Sequence, residues 1–300
     1  MIKPDDCSLP PQTLIDIRQQ ADLLLKKAGA YGKFPTPISD IVAAANLTVA
    51  QEASLDSGFL SHLYKSLRIP SKTIKRALDK VLGLLDGRDR TIYLDHSVHQ
   101  SKKPFLTLHE VGHHFLPWQR DTFAILEDSA NTLDPDVREQ FEREANVFTT
   151  EVLFQLDSFQ QEVADHPLNL KLPMKLAKRY GASVYSTITR YVSSHHRSCV
   201  VLVLDQPESY TETSFSVSLR RSIQSRLFTR QYGEISWPEI YFAGDSFTAF
   251  LPINRKITSP RELILTTGSG EQVPCIAEAF NNSYQMFVLI YPETELKIIV

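Results

Sequence analysis

Cysteine is scarce in this chain. Cys7, Cys199 and Cys275 stand far apart among 300 residues. An odd, scattered set supplies neither a disulfide framework nor a thiolate metal site. The expectation is a reducing compartment and free thiols, with Cys199 and Cys275 as core residues of strands. Long apolar runs are also missing, and nothing approaches the roughly 18 residues of a membrane span. The first residues, MIKPDDCSLPPQTLIDIRQQ, place acids and prolines where a secretory leader needs an apolar stretch, so a cytoplasmic location is expected. Excess charge of one sign is absent too: the formal net charge is −3 and the pI about 6.3. That balance gives no general pull toward nucleic acid or an anionic membrane. There is no internal repeat and no low-complexity tract, and residues 198–300 show no Gly-rich phosphate loop and no cofactor fingerprint. What is present, 42% hydrophobic and 22% charged residues, suits a soluble chain of one or two domains with a real core.

Apolar spacing predicts a helix from Pro11 to Ala30, a second through Ile38, Ile41, Val42 and Ala45, and a strand over Leu47–Ala50. Residues 56 to 86 combine helical spacing, through Leu85, with many lysines and arginines. Asp86-Gly87 marks a turn before the short strand Thr91–Leu94. A helix from about Lys103 to Leu116 ends at Pro117. Another runs from Asp134 to about Leu156, with Asp134 as cap and Pro135 in the first turn. Two helical patterns flank Gly181 between Leu172 and Val192. After Arg197, β-rich runs follow at 200–204, 247–253, 263–267 and 286–291.

One segment carries chemistry. Leu108-His109-Glu110-Val111-Gly112-His113-His114 contains H-E-x-x-H. On a helix, His109 and His113 are four apart and share a face, so both imidazoles can reach one ion. Glu110 is turned about 100° from His109 and can reach a water on that ion as general base. A catalytic zinc needs a third protein ligand and an open position. The helix after Asp134 buries Phe141, Ala145, Phe148 and Val152 by its spacing. Glu142 borders that stripe and Glu139 shares its face as a fallback, whereas Glu144 and Glu151 are expected in solvent. Geometry leaves Glu142 open between a ligand and a surface acid. His114 is rotated off the metal face, and His96 and His99 fall in a loop before the helix.

The stretch PFLTLHEVGHHFLPW, followed about thirty residues later by EREANVFTTEVL, resembles the ImmA/IrrE family of zinc metallopeptidases. Members carry such a helix, often with L-P-W after it, then a second helix with the pattern E-x-x-A-N-x-F. The resemblance implies that Glu142, the first Glu of that pattern, is the third zinc ligand beside His109 and His113. It also implies cleavage of a regulatory protein, a repressor or antitoxin. Thr149-Thr150, and the missing proline after Leu153, depart from the family pattern.

From His166 to Ser198 there is no Asp or Glu, while Lys171, Lys175, Lys178, Arg179, Arg190 and Arg197 are present. With a helix–Gly–helix arrangement this is similar to a helix-turn-helix element. The second helix carries only Arg190, however, and a packing or substrate-docking role is preferred. Trp237, Tyr241, Phe242, Phe247 and Phe250 suit a strand core or a pocket lining. The expected fold is α+β: a zincin-like, mainly helical peptidase unit with a small sheet over 1–165, a helix-turn-helix-like pair over 166–197, and a β-rich module over 198–300. In one branch of the family a GAF-like sensor domain stands in that last place. The expected activity is zinc-dependent, site-specific endoproteolysis with no membrane partner. The alternative is a DNA-binding transcription regulator with a non-catalytic zinc site.

Overall fold

The computed structural model describes residues 9–50, 83–87, 89–128, 134–211, 214–253 and 256–298. The helical spacing and basic residues read between 56 and 82 lie outside them. The chain divides into two compact units: Asp6–Phe159 with Lys178–Ser183, and Gln160–Ala177 with Val184–Val300.

In the first unit, helix α1 (Pro11–Lys27) buries Ile17, Ala21, Leu24 and Leu25, an apolar stripe at helical spacing. Helix α2 (Ile38–Ala44) buries Ile41 and Val42. A small sheet of order β1-β3-β2 follows. In it, β1 (Thr48–Val49) runs parallel to β3 (Thr91–Leu94), and β2 (Gly83–Asp86) runs antiparallel to β3. The strand at Gly83–Asp86 corrects the helical reading that extended through Leu85. Leu85 pairs with Ile92, and the turn at Asp86-Gly87 returns the chain at once, so pairing across the hairpin outweighs local helical spacing.

Helix α3 (Lys103–Phe115) packs against β2 and β3 and also against α5 (Pro135–Leu153). Gly112 allows the close approach of the two helices. A Cβ at Gly112 would lie 3.1 Å from Phe148 Cδ1 and 3.4 Å from Ala145 Cα. Helix α5 starts as the sequence predicts: Asp134 accepts from the Asp136 N–H, with Pro135 in the first turn. Pro117 does end α3, but it also opens α4 (Pro117–Asp128), because proline in a first helical turn gives up no hydrogen bond.

The expected solvation of Glu144 and Glu151 is wrong. Both are buried, at 1% and 6% exposure, because each has donors waiting for it. Arg18 on α1 donates to Glu151 at 2.8 Å and to Asp157 at 2.7 Å. Trp118, Gln119 and Gln140 donate to Glu144.

Helix α6 (Ser158–Ala164) and α7 (Lys171–Tyr180) each have residues in both units. In the second unit, α8 (Val184–Ser193) precedes an antiparallel sheet of order β5-β6-β4-β10-β9-β8, with β7 added on β6. The strands are β4 (Val200–Asp205), β5 (Glu208–Thr211), β6 (Ser214–Gln224), β7 (Ile240–Phe242), β8 (Arg261–Thr266), β9 (Gln272–Asn281) and β10 (Gln285–Pro292). Val200 to Leu204 are all fully buried, which requires cover on both faces of the sheet. On one face, Leu202, Val288 and Ala277 join Phe228 of α9 (Arg226–Tyr232) in a single core. On the other, α8 packs on β4 and β6, with Tyr185 against Phe287.

The strand expected over 247–253 is instead a 3-10 turn at Ser246–Phe250. Asp245 O accepts from both the Thr248 N–H and its hydroxyl, closing the turn locally. Tyr241 and Phe247 belong to the core with Trp237 and Phe250 packed on it, while Phe242 is exposed. Cys199 and Cys275 are free and buried.

Candidate metal centre

Helices α3 and α5 bring three predicted residues together. The ligand atoms of His109, His113 and Glu142 lie within 4.8 Å of one another, the only such cluster among the described residues. His109 Nε2 is 3.1 Å from Glu142 Oε2 and 3.1 Å from His113 Nε2, and His113 Nε2 is 3.7 Å from Glu142 Oε1. Glu139, the fallback, is exposed and outside the cluster.

The far nitrogens decide the chemistry of the near ones. Gln119 uses its amide hydrogens on Phe141 O at 3.1 Å and Glu144 Oε2 at 2.8 Å. Its carbonyl therefore faces His113, and the Nδ1–H of His113 donates to it at 2.8 Å. His109 Nδ1 faces Asn146 Oδ1 at 3.1 Å, and with that oxygen as acceptor it is the Nδ1–H that donates. Both Nε2 atoms are then left as lone pairs, aimed at each other and at the Glu142 carboxylate. Such a gathering of acceptors is stable around a cation or a proton, and neutral imidazole Nε2 with carboxylate oxygen is a donor set that zinc takes. The residues fit a divalent metal.

Electrostatics follow the same arrangement. Burial opposes charge on His109, but Glu142 and Glu110 outweigh it and raise its pKa. Burial, with the neighbouring His109, pushes His113 down to about 4. Burial works against the Glu142 carboxylate, yet the two histidines and Arg138 hold its pKa below the usual range. Glu110 is 9% exposed, and burial raises it to about 7, with Glu142 adding and His109 opposing. Gly83 of β2 makes room for this carboxylate: a Cβ there would stand 2.9 Å from Glu110 Oε1.

The other histidines stay outside the cluster. His114 is half-buried, with its pKa lowered by burial and then by Arg120 and Arg90. His96 and His99 are exposed, and His99 Nδ1 accepts from the Ser101 N–H. Sequence reasoning missed Gln119, Glu144 and Gly83. The one signal for Gln119 is its place just after the L-P-W that stops α3.

Residues 67–190 match the sequence profile of the IrrE N-terminal-like domain. These residues belong to the ImmA/IrrE metallopeptidase family. The IrrE-like domain holds all three clustered residues and Glu110. No curated protein matches the chain. Among solved structures, a Mycobacterium tuberculosis transcriptional regulator is similar, with a TM-score of 0.52 and 11% identity over 95% of this chain and 90% of that one. At that identity the likeness concerns fold alone: α+β, with a helical part carrying a small sheet and a C-terminal antiparallel sheet. No helix among the described residues is long and apolar enough to cross a membrane.

Proposed function

We propose that the chain is a zinc-dependent, site-specific endopeptidase acting on a regulatory protein of repressor or antitoxin type. The observation that carries this reading is the convergence of two Nε2 lone pairs and the Glu142 carboxylate, with Glu110 buried beside them. His109, His113 and Glu142 would hold the ion. When bound, zinc makes a water more acidic and polarises the scissile carbonyl. Glu110 takes the proton of the attacking water at its carboxylate and delivers it to the leaving amine. Burial raises this carboxyl, and the charge of a bound ion would oppose that shift and keep the carboxylate ionised to accept the first proton. Strand β2 lies at one edge of the small sheet among the described residues, with Gly83 against Glu110. An extended substrate pairing along that edge would pass the site.

The test has two parts. His113→Ala is expected to lose zinc in metal analysis, and Glu142→Gln to bind it more weakly. Glu110→Gln is expected to keep zinc and fold while abolishing cleavage of a regulator encoded beside the protein, co-expressed and read by mass spectrometry. Wild-type cleavage by Glu110→Gln would refute the mechanism, and full zinc in His113→Ala would refute the site.

The fold similarity to a transcriptional regulator favours a second reading, DNA binding through α7 and α8. Against it, the one cationic residue of α8, Arg190, is 9% exposed, and a recognition helix needs donors at its free surface. Salt-dependent binding of duplex DNA, lost in Lys175→Ala/Lys178→Ala, would support this second reading. The C-terminal sheet, with its central strands β4 and β10 buried on both faces, is read as a sensor-type module resembling a GAF domain, and the location as cytoplasmic.

A further inference from the structure

Glu144 is 1% exposed, a costly placement for a carboxyl group unless hydrogen bonds satisfy it. Its Oε2 accepts from Trp118 Nε1–H at 2.7 Å and from Gln119 Nε2–H at 2.8 Å, and its Oε1 accepts from Gln140 at 2.8 Å. Gln119 is itself fully buried. An unrestrained glutamine amide turns over easily and offers either a donor or an acceptor. Here both amide hydrogens are committed, one to Glu144 and one to Phe141 O. Only the carbonyl is left for His113, 2.8 Å away.

We infer that Gln119, locked by the buried Glu144 carboxylate, is a positioning residue that fixes His113 as the Nδ1–H tautomer, with the Nε2 lone pair turned toward His109 and Glu142 where a metal would bind. The chain of contacts runs in one direction. The carboxylate sets the amide, the amide sets the ring tautomer and angle, and the ring presents its lone pair to the cluster. Polarisation along the same chain makes Nε2 a stronger base. His109 makes the corresponding Nδ1 contact with Asn146, at 3.1 Å.

The inference rests on reading His113 as a zinc ligand, so its test reads the tautomer apart from the metal. In zinc-free protein labelled with 15N-histidine, at neutral pH, the ring of His113 is assigned by comparison with His113→Ala. Wild type is expected to show the Nδ1–H form. Gln119→Met keeps the bulk without an acceptor and is expected to show a mixture or the Nε2–H form. Its zinc affinity, measured by chelator competition, should fall about 10–100-fold. Glu144→Met is expected to do the same, because the Gln119 amide can then turn over. Glu144→Gln still offers an oxygen to Trp118 and Gln119, and should restore the wild-type tautomer and most of the affinity. A packing role alone would leave both methionine variants close to wild type, and that result overturns the inference. So does an Nε2–H form in the wild-type protein, which is decisive even where a variant fails to fold. A wild-type protein that holds the Nδ1–H form yet binds no zinc would sink the proposed function and leave the positioning intact.

Discussion

Glu278 lies in β9 between the buried Ala277 and Ala279, at 3% exposure. Its Oε1 accepts the Leu170 N–H at 2.6 Å, at the start of α7. Burial raises its carboxyl from the ordinary 4.5 to about 7, against the opposing Leu170 N–H and Lys171. Between those two values the folded chain holds a proton that the unfolded chain has released. Stability therefore falls as pH rises from about 4.5 to about 7 and levels off above, at up to about 1.4 kcal/mol per pH unit. Glu278→Gln removes this slope. Denaturant unfolding of both proteins at several pH values should give curves that diverge across this window, and parallel curves would count against it. The same lesson applies to the acids of α5. Helical spacing identified Glu142 as bordering the apolar stripe, because that is a property of one element. It misplaced Glu144 and Glu151, because their donors come from α4 and α1, and no spacing within α5 announces a partner elsewhere in the chain.

At the scale of elements, the metal cluster depends on how closely α3 and α5 pack. Gly112 sits between His109 and His113 in sequence, and a side chain there would crowd the Phe148 ring and the Ala145 backbone. Gly112→Val must push Phe148 or separate the helices. A loss of about 1–3 kcal/mol is expected for such overpacking, together with weaker zinc binding, since Glu142 is carried on the other helix. Thermal melts with and without zinc check both effects, and an unchanged melting temperature would contradict the packing described. Helices with strong periodicity and clear caps, α1, α5 and α8, were legible from sequence. So were the strands of β4, β8 and β10. Gly83–Asp86 was not, because its strand state depends on pairing with β3. Ser246–Phe250 was not, because a backbone carbonyl and one threonine close a turn within an aromatic run. The start of α4 was hidden because Pro117 reads as an end as readily as a beginning.

At the scale of the whole molecule, one unit carries the candidate metal cluster and the other a sheet whose central strands β4 and β10 are buried on both faces. A promiscuous protease would need only the first. Remote contacts let binding energy position one scissile bond, and a substrate without them loses rate as well as affinity. Casein and random peptides are therefore expected to be cut poorly under conditions where one partner protein is cut at a single place. Mass spectrometry of the fragments checks this, and efficient digestion of casein would defeat it. The division into two units also gives the molecule a built-in optical label. The chain has two tryptophans. Trp118, in the first unit, donates to Glu144, two hydrogen bonds from His113, while Trp237, in the second, packs on the core of the sheet. Each unit thus has its own fluorophore. Emission from Trp237→Phe should change as zinc is titrated, and emission from Trp118→Phe should follow the melting of the sheet, so two single substitutions let the halves of the protein be watched separately without any added dye.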